Sequence, residues 1–135
     1  MDNSINLYAI DNAYALHTTV SPSTVRSWKV DFHPSGKQIL CGTTSLALIN
    51  VDDGNKTDEF AMGSRFITSL RFSPSGTLIA CGHIDGGVLL YDPQKYTQVC
   101  KLEDHGLSVR DLAFATDESM MLSVSDDMHI NATDL

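Results

Sequence analysis

The stretch Ile67-Thr68-Ser69-Leu70-Arg71-Phe72-Ser73-Pro74-Ser75-Gly76 has two counterparts in the same chain, Ser27-Trp28-Lys29-Val30-Asp31-Phe32-His33-Pro34-Ser35-Gly36 and Val109-Arg110-Asp111-Leu112-Ala113-Phe114-Ala115-Thr116-Asp117-Glu118. Their phenylalanines fall 40 and 42 residues apart. A fixed period of that size marks a repeat architecture before any local structure is considered. Behind each copy comes a second apolar run, Ile39–Gly42, Leu78–Gly82 and Met121–Val124. After a short turn comes a third, Leu46–Asp52, Val88–Asp92 and Ile130–Asp134.

These runs are four to eight residues long, rich in β-branched and aromatic side chains, and bounded by Pro-Ser-Gly or Asp-Gly turns. That pattern predicts strands, because helices so short are marginal in water. In the Pro-Ser-Gly turns proline presets φ and glycine accepts a positive φ, so adjacent strands are antiparallel. Asp2–Tyr8 and Tyr14–Val20 continue the phase toward the N-terminus. Since each unit buries its apolar face only against a neighbour, Val30, Phe32, Leu70, Phe72, Leu112 and Phe114 are expected in the core, and Cys41 and Cys81 pack at equivalent second-strand positions.

The pattern resembles the WD-repeat family, in which each repeat supplies a four-stranded blade of a β-propeller and ends in an aromatic-Asp pair. Tyr91-Asp92 carries that resemblance best, with Asp104-His105 in place of the family's Gly-His and Ser123-Val124-Ser125-Asp126-Asp127 in its inner turn. The fold class implied is all-β, an incomplete β-propeller of about three four-stranded WD blades, with thirteen strands in all. The expected divisions are 1–26 as the end of one blade, 27–63 and 64–104 as repeats, and 105–135 as an incomplete repeat. Four blades at ~40 residues each already need about 160 residues, so the chain is expected to be a fragment whose open faces need the missing blades.

More closely, Trp28 to Asp134 resembles the WD-repeat subunit of the superkiller complex, through Trp28 before Phe32-His33-Pro34, Gly42-Thr43, Arg65–Gly76 and Ala80–Gly86. The resemblance implies a protein-binding scaffold of cytoplasmic mRNA decay and of the polymerase-associated elongation complex. It implies a partner RNA helicase, a tetratricopeptide-repeat scaffold, and residence in cytoplasm and nucleus. The alternative, a substrate adaptor of a cullin ubiquitin ligase, is disfavoured because Asp92-Pro93-Gln94 lacks that class's arginine.

The position four before each aligned phenylalanine holds Trp28, Thr68 and Arg110, three unlike side chains that point to solvent or a partner and not to core. In WD propellers it lies beside the turns carrying Thr44, Ile84 and Asp126, so these six residues form the candidate partner-binding set. Tryptophan and arginine are the types that most often anchor interfaces. The plainer reading is a Trp28 packed beneath a loop. His105, Ser123 and Asp127 fall where the family carries a buried hydrogen-bond network, with Thr133 in place of its tryptophan.

Composition narrows the function classes. A net charge of −8, from 9 basic and 17 acidic residues, repels a phosphate backbone, and no apolar run approaches the ~20 residues that span a bilayer. Neither direct nucleic-acid nor membrane binding is expected. The acidic N-terminus argues against a secretory signal, and three cysteines without a Cys-x-x-Cys pair argue against a disulfide framework. Asn55-Lys56-Thr57 and Asn131-Ala132-Thr133 are therefore not expected to carry glycans.

Ser123, His105 and Asp127 come without a Gly-x-Ser-x-Gly elbow, so an enzyme is not expected. His17, His33, His83 and His129 lack metal-ligand spacing. Asp52–Glu59 lacks the spacing of a calcium loop, and Gly82–Gly87 has no lysine for a phosphate cradle; no cofactor is expected.

Overall fold

A computed structural model describes residues 4–11, 15–20, 28–61, 65–103 and 105–135, and among them every regular element is a strand. The predicted residues Asp104, Tyr14 and Ser27 lie outside this set. Thirteen strands are present, β1 (Ile5–Ala9), β2 (Ala15–Val20), β3 (Lys29–Phe32), β4 (Gln38–Gly42), β5 (Ser45–Asn50), β6 (Lys56–Ala61), β7 (Ile67–Phe72), β8 (Ile79–His83), β9 (Val88–Asp92), β10 (Thr97–Leu102), β11 (Val109–Phe114), β12 (Met120–Ser125) and β13 (Ile130–Asp134). They form four antiparallel sheets with sequential neighbours: β1–β2, β3 to β6, β7 to β10, and β11 to β13.

Side chains alternate between the two faces of a strand, so the register fixes which residues meet which neighbour. In the β7–β10 sheet one face carries the rows Leu70–Cys81–Leu89 and Phe72–Ile79–Tyr91. These pack against Leu40, Leu46 and Leu48 of the preceding sheet. The opposite face carries Ala80, Leu90 and Val88, which pack against Val109, Leu112 and Met121 of the sheet that follows. The β7–β10 sheet is thus covered on both faces by its neighbours and holds no independent core, whereas the β11–β13 sheet leaves Leu122 and Ile130 exposed.

The prediction that Val30 and Phe32 are core is corrected, since they are 50% and 54% exposed, whereas Leu70, Phe72 and Leu112 are buried and Phe114 is half-buried. The cause is geometric. Val30 pairs with Cys41 and Phe32 with Ile39, so they share a face with Ile39, Cys41, Ala47 and Ile49. The β1–β2 hairpin covers β4 and β5 on that face through Leu7 and Val20. No described strand lies over β3 in the same way.

The turns after the innermost strands also tie one sheet to the next. They close by bonds from Gly36 N–H to the His33 carbonyl, Gly76 N–H to the Ser73 carbonyl, and Glu118 N–H to the Ala115 carbonyl. Gly36 and Gly76 take φ of +72° and +77°, the conformation in which a Cβ is strained, and at Gly76 a Cβ would also meet the His33 ring. Glu118 adopts the same left-handed conformation, φ +58°, without being glycine. Its carboxylate accepts from the Ser75 N–H and, at 3.0 Å, from the Ser75 hydroxyl of the previous sheet. Those two donors hold the Glu118 carboxyl below the ordinary carboxylate range.

Candidate protein-docking groove and the buried histidine network

β7 and β11 each carry a β-bulge, between Ile67 and Ser69 and between Val109 and Asp111. The extra residues are Thr68 and Arg110. A bulge re-aims its side chain out of the strand's alternation, and that is how these positions reach the loop end of the sheets. Trp28 stands at the matching place just before β3, with its N–H bonded to the Gly42 carbonyl at 3.2 Å.

Trp28, Lys29, Phe66, Thr68, Ile84, Ser108, Arg110 and Asp126 line one groove of about 430 Å³. It therefore gathers five of the six predicted partner-binding residues. The sixth, Thr44, is exposed in the β4–β5 turn and does not line it.

Within the groove the side chains divide. Trp28 is 65% exposed and stands edge-on to Phe66, with ring centroids 6.1 Å apart. Ile84 is exposed beside them. The Thr68 hydroxyl lies 3.1 Å from the Gly82 carbonyl and 2.5 Å from the Val109 carbonyl, so its proton serves the seam between two sheets and not the solvent. Arg110 holds Asp126 with two parallel bonds, Nε to Oδ1 at 2.7 Å and Nη2 to Oδ2 at 2.5 Å. That guanidinium keeps the Asp126 carboxyl below its usual range. Both groups are well exposed, so the pair orients the arginine more than it stabilises the fold. Sequence reasoning passed over Lys29, Phe66 and Ser108: Lys29 follows Trp28, Phe66 and Ser108 lie two residues before Thr68 and Arg110, and only the geometry shows which neighbours join the groove.

The second predicted set also comes together. His105 Nδ1 lies 3.0 Å from Asp127 Oδ2, and its Nε2 lies 2.8 Å from Ser123 Oγ. An ionised Asp127 only accepts, so Nδ1–H donates to it and, in the neutral ring, Nε2 accepts the Ser123 hydroxyl proton. Asp127 also accepts the N–H groups of Gly106 and His129 at 2.9 Å each. Desolvation acts to raise its pKa, but the His129 and Gly106 donors together with His105 outweigh it and hold the carboxyl far below the ordinary range.

The order Ser–His–Asp is that of a hydrolytic triad, but the His105 side chain is wholly enclosed and Ser123 is buried. Ser123 keeps only 4% of its surface exposed. What the arrangement can do is tie the loop at 105–106 to the β12–β13 turn. Elsewhere, burial pushes the Cys81 thiol up, which leaves it an inert packing group. Among the described residues no three His, Cys, Asp or Glu side chains gather as a metal site.

A model of the WD domain, G-beta repeat, matches residues 58–92 and 96–132, more than half of the chain. The chain belongs to the WD40 repeat family. Each matched WD40 repeat begins on an outermost strand, β6 or β10, and runs on through the next sheet, so the sequence unit staples one blade to the following one. The four-stranded antiparallel sheets are therefore WD blades, and the architecture is that of an incomplete β-propeller.

Among curated proteins the chain is similar to WD repeat-containing protein VIP3 of Arabidopsis thaliana, 29% identical over 85% of this chain and 40% of that protein. It is 32% identical to eukaryotic translation initiation factor 3 subunit I of Candida albicans, over 93% of this chain and 43% of that one. WD repeat-containing protein SL1-17 of Schistosoma mansoni is 26% identical over the whole chain and 45% of its own length. The chain thus spans less than half the length of these relatives.

Proposed function

We propose that this chain is a protein-binding scaffold that serves as a subunit of a larger assembly, and that the groove around Trp28 and Arg110 is where a partner docks. One observation carries the reading: a tryptophan left 65% exposed beside a second aromatic ring, in a groove that also holds an arginine fixed by two bonds. Exposing an indole is unfavourable for an isolated surface, whereas desolvating it against a partner is a main source of interface energy.

The subunit role is supported by the similarity to a translation initiation factor subunit and by the resemblance to the superkiller subunit. On the latter reading the partners are an RNA helicase and a tetratricopeptide-repeat scaffold in cytoplasmic mRNA decay, with a second role in transcription elongation in the nucleus. Binding chemistry, not catalysis, is what the exposed residues offer.

Affinity capture from cytoplasmic and nuclear extracts, with identification by mass spectrometry, tests this. The helicase and the tetratricopeptide-repeat protein are expected with the unaltered chain, and are expected to fall about tenfold or more with Trp28→Ala and with Arg110→Ala. Capture of initiation-factor subunits or of a cullin ligase instead would replace the assembly proposed. Equal recovery by both variants would remove the groove as the docking site.

A further inference from the structure

The groove has a charge of its own. Lys29 and Arg110 face a single carboxylate, Asp126, so its lining is net positive on a chain whose net charge is −8. Arg110 is committed to Asp126, but Lys29 makes no ion pair among the described residues. The nearby Arg65 is matched by Asp85 at 3.1 Å and adds nothing to the balance. A cation with no ion pair among the described residues, beside an exposed aromatic surface, is a place where an anion gains more than it would elsewhere on an acidic protein.

A second observation is independent of charge. Trp28, Phe66 and Ile84 lie on the same groove, with Trp28 65% and Ile84 57% exposed, and covering such apolar surface is favourable. The groove thus presents an apolar half (Trp28, Phe66, Ile84) beside Lys29, a cation with no ion pair among the described residues.

We propose that the occupant is a short linear peptide in which a bulky apolar side chain lies next to an Asp or Glu. The apolar side chain rests on Trp28, Phe66 and Ile84. Its neighbouring carboxylate faces Lys29. The volume of about 430 Å³ is of the size of two side chains and the backbone between them. This inference rests on the docking reading given above and adds the chemistry of the bound segment.

Three fluorescently labelled octapeptides distinguish the two levels: one alternating Asp and Phe, one alternating Lys and Phe, and one alternating Asp and Ala. Anisotropy titration of the full chain is expected to show saturable binding of the Asp-Phe peptide alone, weakening as salt is raised. Lys29→Glu is expected to weaken it about tenfold, Lys29→Gln less, and Trp28→Ala to abolish it, each variant keeping the parent's unfolding transition. If the Lys-Phe peptide binds equally and Trp28→Ala still abolishes binding, the acidic preference is overturned while the docking groove stands. No binding of the Asp-Phe peptide to folded protein, or binding indifferent to Lys29→Glu, overturns the proposal outright.

Discussion

Phe72→Ala is expected to lower the unfolding free energy by about 3–5 kcal/mol, while Phe32→Ala, at the same position one repeat earlier, changes it by less than about 1 kcal/mol. Phe72 is buried in the row with Ile79 and Tyr91 and packs edge-on against His33, with centroids 5.0 Å apart. Its backbone N–H also meets Asp31 Oδ2 of the previous blade at 2.8 Å. Phe32 shares the Phe-x-Pro-Ser-Gly pattern but has only about half its surface covered. Equilibrium urea unfolding followed by circular dichroism checks the contrast. Similar losses at the two sites would mean that the first blade is covered as completely as the second, contrary to the packing described.

The next largest effect is expected at His105. Replacing it by alanine empties a fully enclosed site and leaves Ser123 Oγ without its partner, a loss of about 3 kcal/mol in the same urea experiment. The linked carboxylates give this stability a pH dependence with a definite sign. Asp127 and Glu118 have folded pKa values below their unfolded ones, so their contribution is complete above the ordinary carboxylate pKa of about 4 and is lost as pH falls through the folded values. The urea midpoint is therefore expected to be flat near neutrality and to fall steeply on the acid side. Asp127→Asn is expected to flatten that acid decline, and an unchanged acid profile in Asp127→Asn would show that the network does not depend on this charge.

Most of the fold was legible because strand formation here is local chemistry. The Phe-x-Pro-Ser-Gly punctuation at Phe32 and Phe72 sets both the turn and the period, and the short apolar runs leave no room for helices. Thirteen strands were expected and thirteen are described. The core was less legible, since burial depends on what covers a face. Val30 and Phe32 are apolar and in phase, yet a sequence does not show that only β4 and β5 lie under the β1–β2 hairpin.

The candidate sites divide along the same line. His105, Ser123 and Asp127 sit at positions that the repeat marks, and their hydrogen bonds follow from the register of β11 and β12 with the turn beyond. The groove required something the sequence does not encode visibly, the two bulges that turn Thr68 and Arg110 toward the loops. Without them Thr68 reads as a surface residue, whereas its hydroxyl joins two blades. Phe66 and Lys29 are ordinary neighbours in sequence and become groove walls only through that geometry.

The claim on which the rest depends is that antiparallel sheets repeat in one register, each covered by the next. Nuclear Overhauser contacts across strands measure this directly. The register predicts contacts between Leu70 and Cys81 and between Cys81 and Leu89, and between-blade contacts from Leu48 to the Leu70–Leu89 face. Cross-strand contacts displaced by one residue, which would turn Leu70 and Leu89 to the other face, or runs of sequential amide contacts typical of helix, would contradict it.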